Sequence, residues 1–574
     1  MVPLEQILRA HRGEVVADLL LRNGKVVNVL SGEIYAADVA VLGDTILAVG
    51  QTYPAQETID LKGLYLAPGF IDGHIHIESS MVEVPQFARA VVPLGTTSVV
   101  VDPHEIANVL GHEGIRYMMG ASKYNPLNVF FMLPSCIPST SLESTGSVLR
   151  AFDLFPLLRE KWVLGLGEMM NFGGVLVGEE DVLDKLKIVE DKRIDGHAPR
   201  LTGRDLNTYI AMGIRSDHEC TTVEEAREKL RLGMHIMIRE GTGTRNLRDL
   251  LPLVTPANER RCMFVTDDRH PNDILEQGHM NYMIKMAVAE GLPPVTAIRL
   301  ATINTAEYFG LRRLGAIAPG RTADMVVFDD FQHFTIKKVF KNGRLVAEDG
   351  KAIYEMPVRP PAQVRASMNI KWLEGGEFVI PARGTSCRVI GLVSDQIVTE
   401  SLVEEAPTRD GVVVSEPERD LLRCYVVERH RASGNIGKGL VRGMGLRKGA
   451  LASSIAHDAH NIIVLGVEDR DIARAVIQVN KMGGGLVVVA DGEVKEALQL
   501  PIGGLMSDRP LEEVSAATKR LNEAAQAFGA KVADPFMAMS FLALPVVPKL
   551  KLTDRGLVDV ERFSFVDLFV DREQ

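Results

Sequence analysis

Along residues 19–66 apolar and polar side chains alternate. The stretch LLLRNGKVVNVLSGEIYAADVAVLGDTILAVG changes character with a period near two, the signature of short strands with one buried face. Asn23-Gly24 falls within it as a hairpin-turn signal. A similar phrase returns at residues 323–350, where Asn342-Gly343 precedes RLV much as Asn23-Gly24 precedes KVV. The two β segments predict one small β-sandwich domain assembled from residues 1–66 and 318–370, on either side of an insertion.

Inside the insertion, residues 67–317, the pattern becomes alternating strand and helix. The apolar runs are GFIDGHIH, TTSVVVDPHE, NVFFMLPSC, WVLGLGEMMN, KRIDGHAP, GIRSDHE, HIMIREGT and CMFVTDDRHP. Helical patterns separate most of them. TTVEEAREKLRLG is an example, with Thr221 or Thr222 as the cap and Gly233 as the stop. Eight β/α units predict a TIM-type (β/α)8 barrel. An open doubly wound sheet would carry a glycine-rich phosphate loop after the first strand, and histidines stand there instead. Residues 371–574 change style again and predict a separate α+β domain. Its Gly483–Gly485 run reads as a sharp turn, since no G-x-x-x-x-G-K-[ST] accompanies it.

The totals narrow the class. A chain of 574 residues exceeds one ordinary core. A net charge of −11 disfavours a nucleic-acid backbone as partner. The five cysteines are scattered without a C-x-x-C pair, which fits a reducing compartment. The N-terminus is charged throughout, and no apolar run is long enough to span a bilayer. A cytoplasmic protein that engages neither nucleic acid nor membrane is expected, and a homo-oligomer.

In such barrels the active site lies at the C-terminal ends of the strands, and polar residues gather there. His74 and His76 end the first strand. At i and i+2 both imidazoles project from one face, close enough to hold one metal ion. Asp102, His104 and Glu105 end the second strand, Glu168 the fourth and His197 the fifth. Asp217, His218 and Glu219 end the sixth. Asp267, Asp268 and His270 end the eighth. Each alone reads as a cap or a turn residue. Capping gives no reason for so many strand ends to be polar, whereas one or two divalent cations do.

These residues resemble the amidohydrolase superfamily, and within it the adenine deaminase branch. PGFIDGHIHIESSM, GLGEMMN, DGHAP, SDHE, TDDRHP and, in the C-terminal domain, IAHDAHNI carry the resemblance, which covers nearly the whole chain. Hydantoinases and dihydroorotases carry a carbamylated lysine where Glu168 stands, a carboxylate that can bridge without modification. The H-x-E…P-C-x-x-C signature of the unrelated zinc deaminases is absent.

The resemblance implies hydrolytic deamination of adenine to hypoxanthine and ammonia, in purine salvage, with water activated at a binuclear site. His74 and His76 would hold the more buried cation with Asp267 nearby. His197 and His218 would hold the second, Glu168 would bridge, and Asp267 would be the general base. Manganese or iron is expected, with zinc also permitted by the nitrogen and oxygen ligand set. Glu105, Glu219, Glu240 and His270 are candidates for the acid that protonates the ring. His457 and His460, in SSIAHDAHNI, are candidates for a loop closing the site or binding substrate. The rival readings are another amidohydrolase acting on a cyclic amide or N-acyl group, which Glu168 in place of lysine disfavours, and a non-enzymatic scaffold, which would have lost ligands.

Overall fold

The computed structural model describes residues 2–189, 191–356, 364–393 and 396–570. Nine strands from both ends of the first 352 residues hydrogen-bond into one sheet. Met325–Phe328 joins the halves by pairing antiparallel with Tyr65–Pro68. The expected sandwich is therefore a single curled sheet. The long strand Ala17–Asn28 pairs with Glu33–Leu42 on one side and with Ala55–Asp60 and Tyr65–Pro68 on the other, so nothing divides it in two. Its curl brings Thr45, on an edge strand, to a bridge with Thr322. Leu19, Leu21, Val39, Ile46, Met325 and Phe340 share the enclosed core.

The two Asn-Gly pairs do different work. Asn342-Gly343 turns the hairpin between Ile336–Lys341 and Arg344–Glu348, with φ of 51° and 77°. Asn23-Gly24 is not a hairpin turn; it is a bulge inside Ala17–Asn28. Asn23 donates to Asp60, and Gly24 packs so closely on Leu61 that a Cβ would lie 2.8 Å from its Cδ1.

Every expected barrel segment contains a strand, and the strands run parallel. Phe70–Ile75, Thr96–Val101, Asn128–Leu133, Val163–Met169 and Arg193–Gly196 form a five-stranded sheet. Ser216–Asp217, His235–Arg239 and Cys262–Val265 form a three-stranded one. A parallel bridge between Ile75 and Asp267 joins the last strand to the first, and Arg215 N–H donates to Ile194 O across the other seam. The domain is thus α/β and barrel-like. Its floor is apolar, with Val100, Met132, Met237, Met263 and Val265 packed together. Two residues on from three of these, the side chains become Asp102, Arg239 and Asp267, so strand periodicity lifts charge to the mouth. Thr222 caps Val223–Arg231 through its hydroxyl, and Gly233 follows in the left-handed region, as expected.

The C-terminal residues form an eight-stranded sheet with the helix Asp469–Lys481 packed on one face. Gly483–Gly485 makes the tight return from that helix, and a Cβ on Gly485 would lie 1.9 Å from Leu498 O. The loop between Ala450–Ser453 and Ile462–Gly466 leaves this sheet and packs against the barrel mouth through His457 and His460. Among the described residues no helix is long and apolar enough to cross a membrane, and the five cysteines are buried and unpaired.

Candidate active site

Glu168, at the end of the fourth barrel strand, is almost fully buried and faces five imidazoles. Its Oε1 lies 3.2 Å from His76 Nε2, 3.6 Å from His74 Nε2 and 3.3 Å from His104 Nδ1. Its Oε2 lies 2.7 Å from His197 Nδ1 and 3.2 Å from His218 Nε2. Asp267 Oδ1 closes the first group, 3.2 Å from His76 Nε2 and 3.6 Å from His74 Nε2. One carboxylate therefore touches two sets of imidazoles, one through each oxygen.

The orientation of these groups is set from behind. His76 Nδ1 donates to Asp102 O at 2.9 Å, which leaves Nε2 with its lone pair toward the cluster. The Glu168 backbone N–H donates to Asp102 Oδ2 at 3.0 Å. Asp267 has φ of 59°, a region that aspartate tolerates better than most residues. Its N–H donates to His74 O. The last strand thus hooks onto the first at Asp267.

Charge in the cluster is asymmetric. Burial pushes the Glu168 carboxyl up, but the neighbouring His218 and the hydrogen bonds from His197 and His76 hold it well below the ordinary carboxylate range. Asp267 is likewise burdened by burial and held well below it by His74, His76 and Arg239. Burial lowers the His218 imidazole, yet Glu168 outweighs this and lifts it to about 9. His74 Nε2, His104 Nδ1 and Glu168 Oε1 are buried with no hydrogen-bond partner. Buried ligand atoms without partners, aimed at one point, are costly unless something binds them. The sets His74–His76–Glu168, His74–His218–Asp267 and Glu168–His197–His218 each bring their ligand atoms within 4.8 Å of one another. Imidazole and carboxylate without thiolate suit a divalent cation, and the residues fit one.

The structure separates the four candidate acids. Glu105 is buried at the mouth, with His104 Nε2 at 3.2 Å and His457 Nε2 at 3.3 Å from its Oε1, and His460 bonded to its Oε2. His270 borders the same space and pairs with Asp534 of the C-terminal domain at 3.2 Å. Glu219 is engaged by both terminal nitrogens of Arg239. Glu240 accepts from Leu247 N–H in the following loop. Glu105 and His270 border the cavity at the mouth, and Glu219, though held by Arg239, stays beside the cluster at 3.7 Å from His197 Nδ1 and 3.5 Å from His218 Nε2, whereas Glu240 is spent on the following loop.

Two side chains that touch the cluster have no role in the expected site. Arg239 is buried between Glu219 and Asp267, 2.8 Å from Asp267 Oδ2. The signal was an arginine at the end of an otherwise apolar strand. His104 was noted at a strand end without a role, and it touches Glu168. His457 and His460 are both buried against the barrel.

The Amidohydrolase family matches residues 65–346, and the Adenine deaminase C-terminal domain matches residues 396–564. The chain is 50% identical to the adenine deaminase of Desulfatibacillum aliphaticivorans, covering 98% of this chain and 99% of the relative. It is 51% identical to adenine deaminase 2 of Carboxydothermus hydrogenoformans, covering 99% of each. It is 48% identical to an adenine deaminase of Dehalococcoides mccartyi, covering 98% of this chain and 99% of that one.

Proposed function

The chain belongs to the adenine deaminases of the amidohydrolase family, and from that premise we infer its reaction and the work of each side chain. It is an adenine deaminase: water enters at C6 of adenine, ammonia leaves, and hypoxanthine remains. The family implies a divalent metal site. On our reading that site is binuclear and sits in a (β/α)8 barrel spanning residues 67–317, beside a small β domain (1–66 and 318–370) and a C-terminal domain (371–574). The observation that carries it is Glu168, whose two oxygens face different histidine pairs.

His74, His76 and Asp267 would hold one cation, His197 and His218 the other, and Glu168 would bridge them. Divalent cations held there would lower the pKa of a bound water from about 15.7 toward about 7. The nitrogen and oxygen ligand set suits manganese, iron and zinc alike, and the family resemblance favours manganese or iron.

The protein's own groups move the protons. Asp267 Oδ1 takes a proton from the attacking water and returns it to the departing amine. Arg239 fixes Oδ2, so the free oxygen is the one that faces the cluster. Glu105 is placed to exchange a proton with the ring nitrogen, and His104, His457 and His460 surround it to resupply that proton. The C-terminal loop keeps bulk water from this group, because His457 and His460 are themselves buried.

The test offers adenine, adenosine, hydantoin and dihydroorotate to the purified protein, with its metals counted. Ammonia released from adenine alone, by protein holding two cations per chain, is the expected result. Ring opening of hydantoin or dihydroorotate with adenine untouched would overturn the reading.

A further inference from the structure

The barrel ladder breaks between its fifth and sixth strands. Arg193–Gly196 ends one sheet, and Ser216–Asp217, two residues long, begins the other. His197 directly follows the first of these strands and His218 the second. The two imidazoles that would hold the second cation therefore stand on opposite sides of a seam, where strand pairing does not set their spacing.

A buried ion pair closes this seam. Lys229, from the helix Val223–Arg231, and Asp217 are both fully buried. Asp217 Oδ1 accepts from Ala198 N–H at 2.8 Å, and the Lys229 ammonium donates to Ala198 O at 2.6 Å and to Asp217 Oδ2 at 3.0 Å. Both backbone polar groups of the residue after His197 are thus held by the residue before His218 and its lysine partner. Lys229 also donates to Glu225 Oε1 at 2.7 Å, an oxygen that accepts from Arg200 N–H at 2.8 Å, further along the His197 loop. Cys220 Sγ lies 3.1 Å from Asp217 Oδ2. Both oxygens of Asp217 are turned to these partners, so this carboxylate serves the seam and not the cluster. Tyr209 adds a second tie: its hydroxyl accepts from His197 N–H at 3.1 Å and donates to Met169 O, at 2.7 Å, one residue beyond Glu168. His74, His76 and Asp267 are joined differently, by the Asp267 N–H bond to His74 O and the bridge between Ile75 and Asp267. The two ligand groups are fastened by different residues.

A pair of apolar side chains would fill the same space without the cost of burying charge, so stability alone does not account for this ion pair. We propose that Lys229, acting with Asp217, is a positioning residue for one cation only: it sets the spacing of His197 and His218 and leaves the site at His74, His76 and Asp267 to other supports. This rests on the binuclear reading and adds to it the group that sets the geometry of one site.

The test uses the full chain, stripped with a chelator and dialysed against graded free Mn2+, with bound manganese counted by elemental analysis. Lys229→Met keeps the length of the side chain and removes the ammonium. The double variant Lys229→Met with Asp217→Asn leaves no unpaired charge at the seam and replaces the single variant if that fails to fold. Lys341→Met, which breaks the buried pair with Asp324 in the β domain, controls for a general loss of stability. Each folded Lys229 variant should bind one cation as the unaltered protein does and the other about 10–100-fold more weakly. Lys341→Met should lower the unfolding temperature and keep both affinities. Two unaltered affinities in a folded Lys229 variant would overturn the proposal. So would an equal weakening of both sites, or the same selective loss in Lys341→Met. An unaltered protein that binds only one cation removes the binuclear reading, and this proposal with it.

Discussion

Arg239 grips Asp267 by one oxygen only: Nη1 lies 2.8 Å from Oδ2, while Oδ1 is turned to His76 Nε2 at 3.2 Å. The same guanidinium engages Glu219 with both terminal nitrogens. It therefore neutralises two buried carboxylates and decides which oxygen of the proposed base reaches the cluster. Arg239→Met should destabilise the fold by about 3–5 kcal/mol, because breaking a buried pair strands its partners. Arg239→Lys should keep the charge and most of the stability. Lacking the planar fork, it should lower kcat by ~10–100-fold with little change in KM. Thermal unfolding and steady-state kinetics on the two variants check this, and normal kcat in the lysine variant would contradict it.

His457 and His460 flank Glu105 from the C-terminal domain. His457→Ala and His460→Ala should each cut turnover by roughly tenfold or more while the protein stays folded, since each removes a donor to a buried carboxylate. Circular dichroism and kcat measured side by side give the answer. Unaltered kinetics in both would leave the loop without a catalytic role.

The fold was legible where chemistry and periodicity agreed. Each apolar run that ended in histidine or carboxylate became a barrel strand, because burial of the run and exposure of its end to the mouth follow from one alternation. Asn23-Gly24 was misread because a bulge and a hairpin turn ask for the same left-handed backbone, and only the distant strand Ala55–Asp60 distinguishes them. Arg239 was illegible for a related reason. Its partners lie 20 and 28 residues away in the chain, and an arginine at a strand end looks solvated until the neighbouring strands close around it.

Lys551 is a buried amine whose Nζ donates to two backbone carbonyls, Ile397 O and Phe541 O, each at 2.8 Å. Burial lowers it from 10.5 to about 7. Between these values the unfolded chain binds the extra proton, so this residue makes stability rise with pH from about 7 toward 10.5; below 7 its full cost is present. Lys551→Met should thus gain stability relative to the parent at pH 6 and lose that advantage by pH 10. Denaturant midpoints at the two pH values measure it, and an equal difference at both would refute the assignment.

Removing cations with a chelator should abolish ammonia release and lower the unfolding temperature, because buried imidazoles and carboxylates would lose what binds them. Manganese or ferrous iron should restore both. A chelated protein that keeps its activity would contradict a metal-dependent site.

The central claim is that Glu168 joins two cation sites. Glu168→Gln keeps the shape of the side chain and removes the charge that offsets cation–cation repulsion. Asp267→Asn provides the contrast: it should retain more of its metal yet lose the proton transfer, since an amide cannot act as the base. Metal content per chain, measured on folded Glu168→Gln alongside its turnover, is the most direct test. The account predicts fewer than two cations and loss of most activity; two cations with near-normal turnover would contradict it.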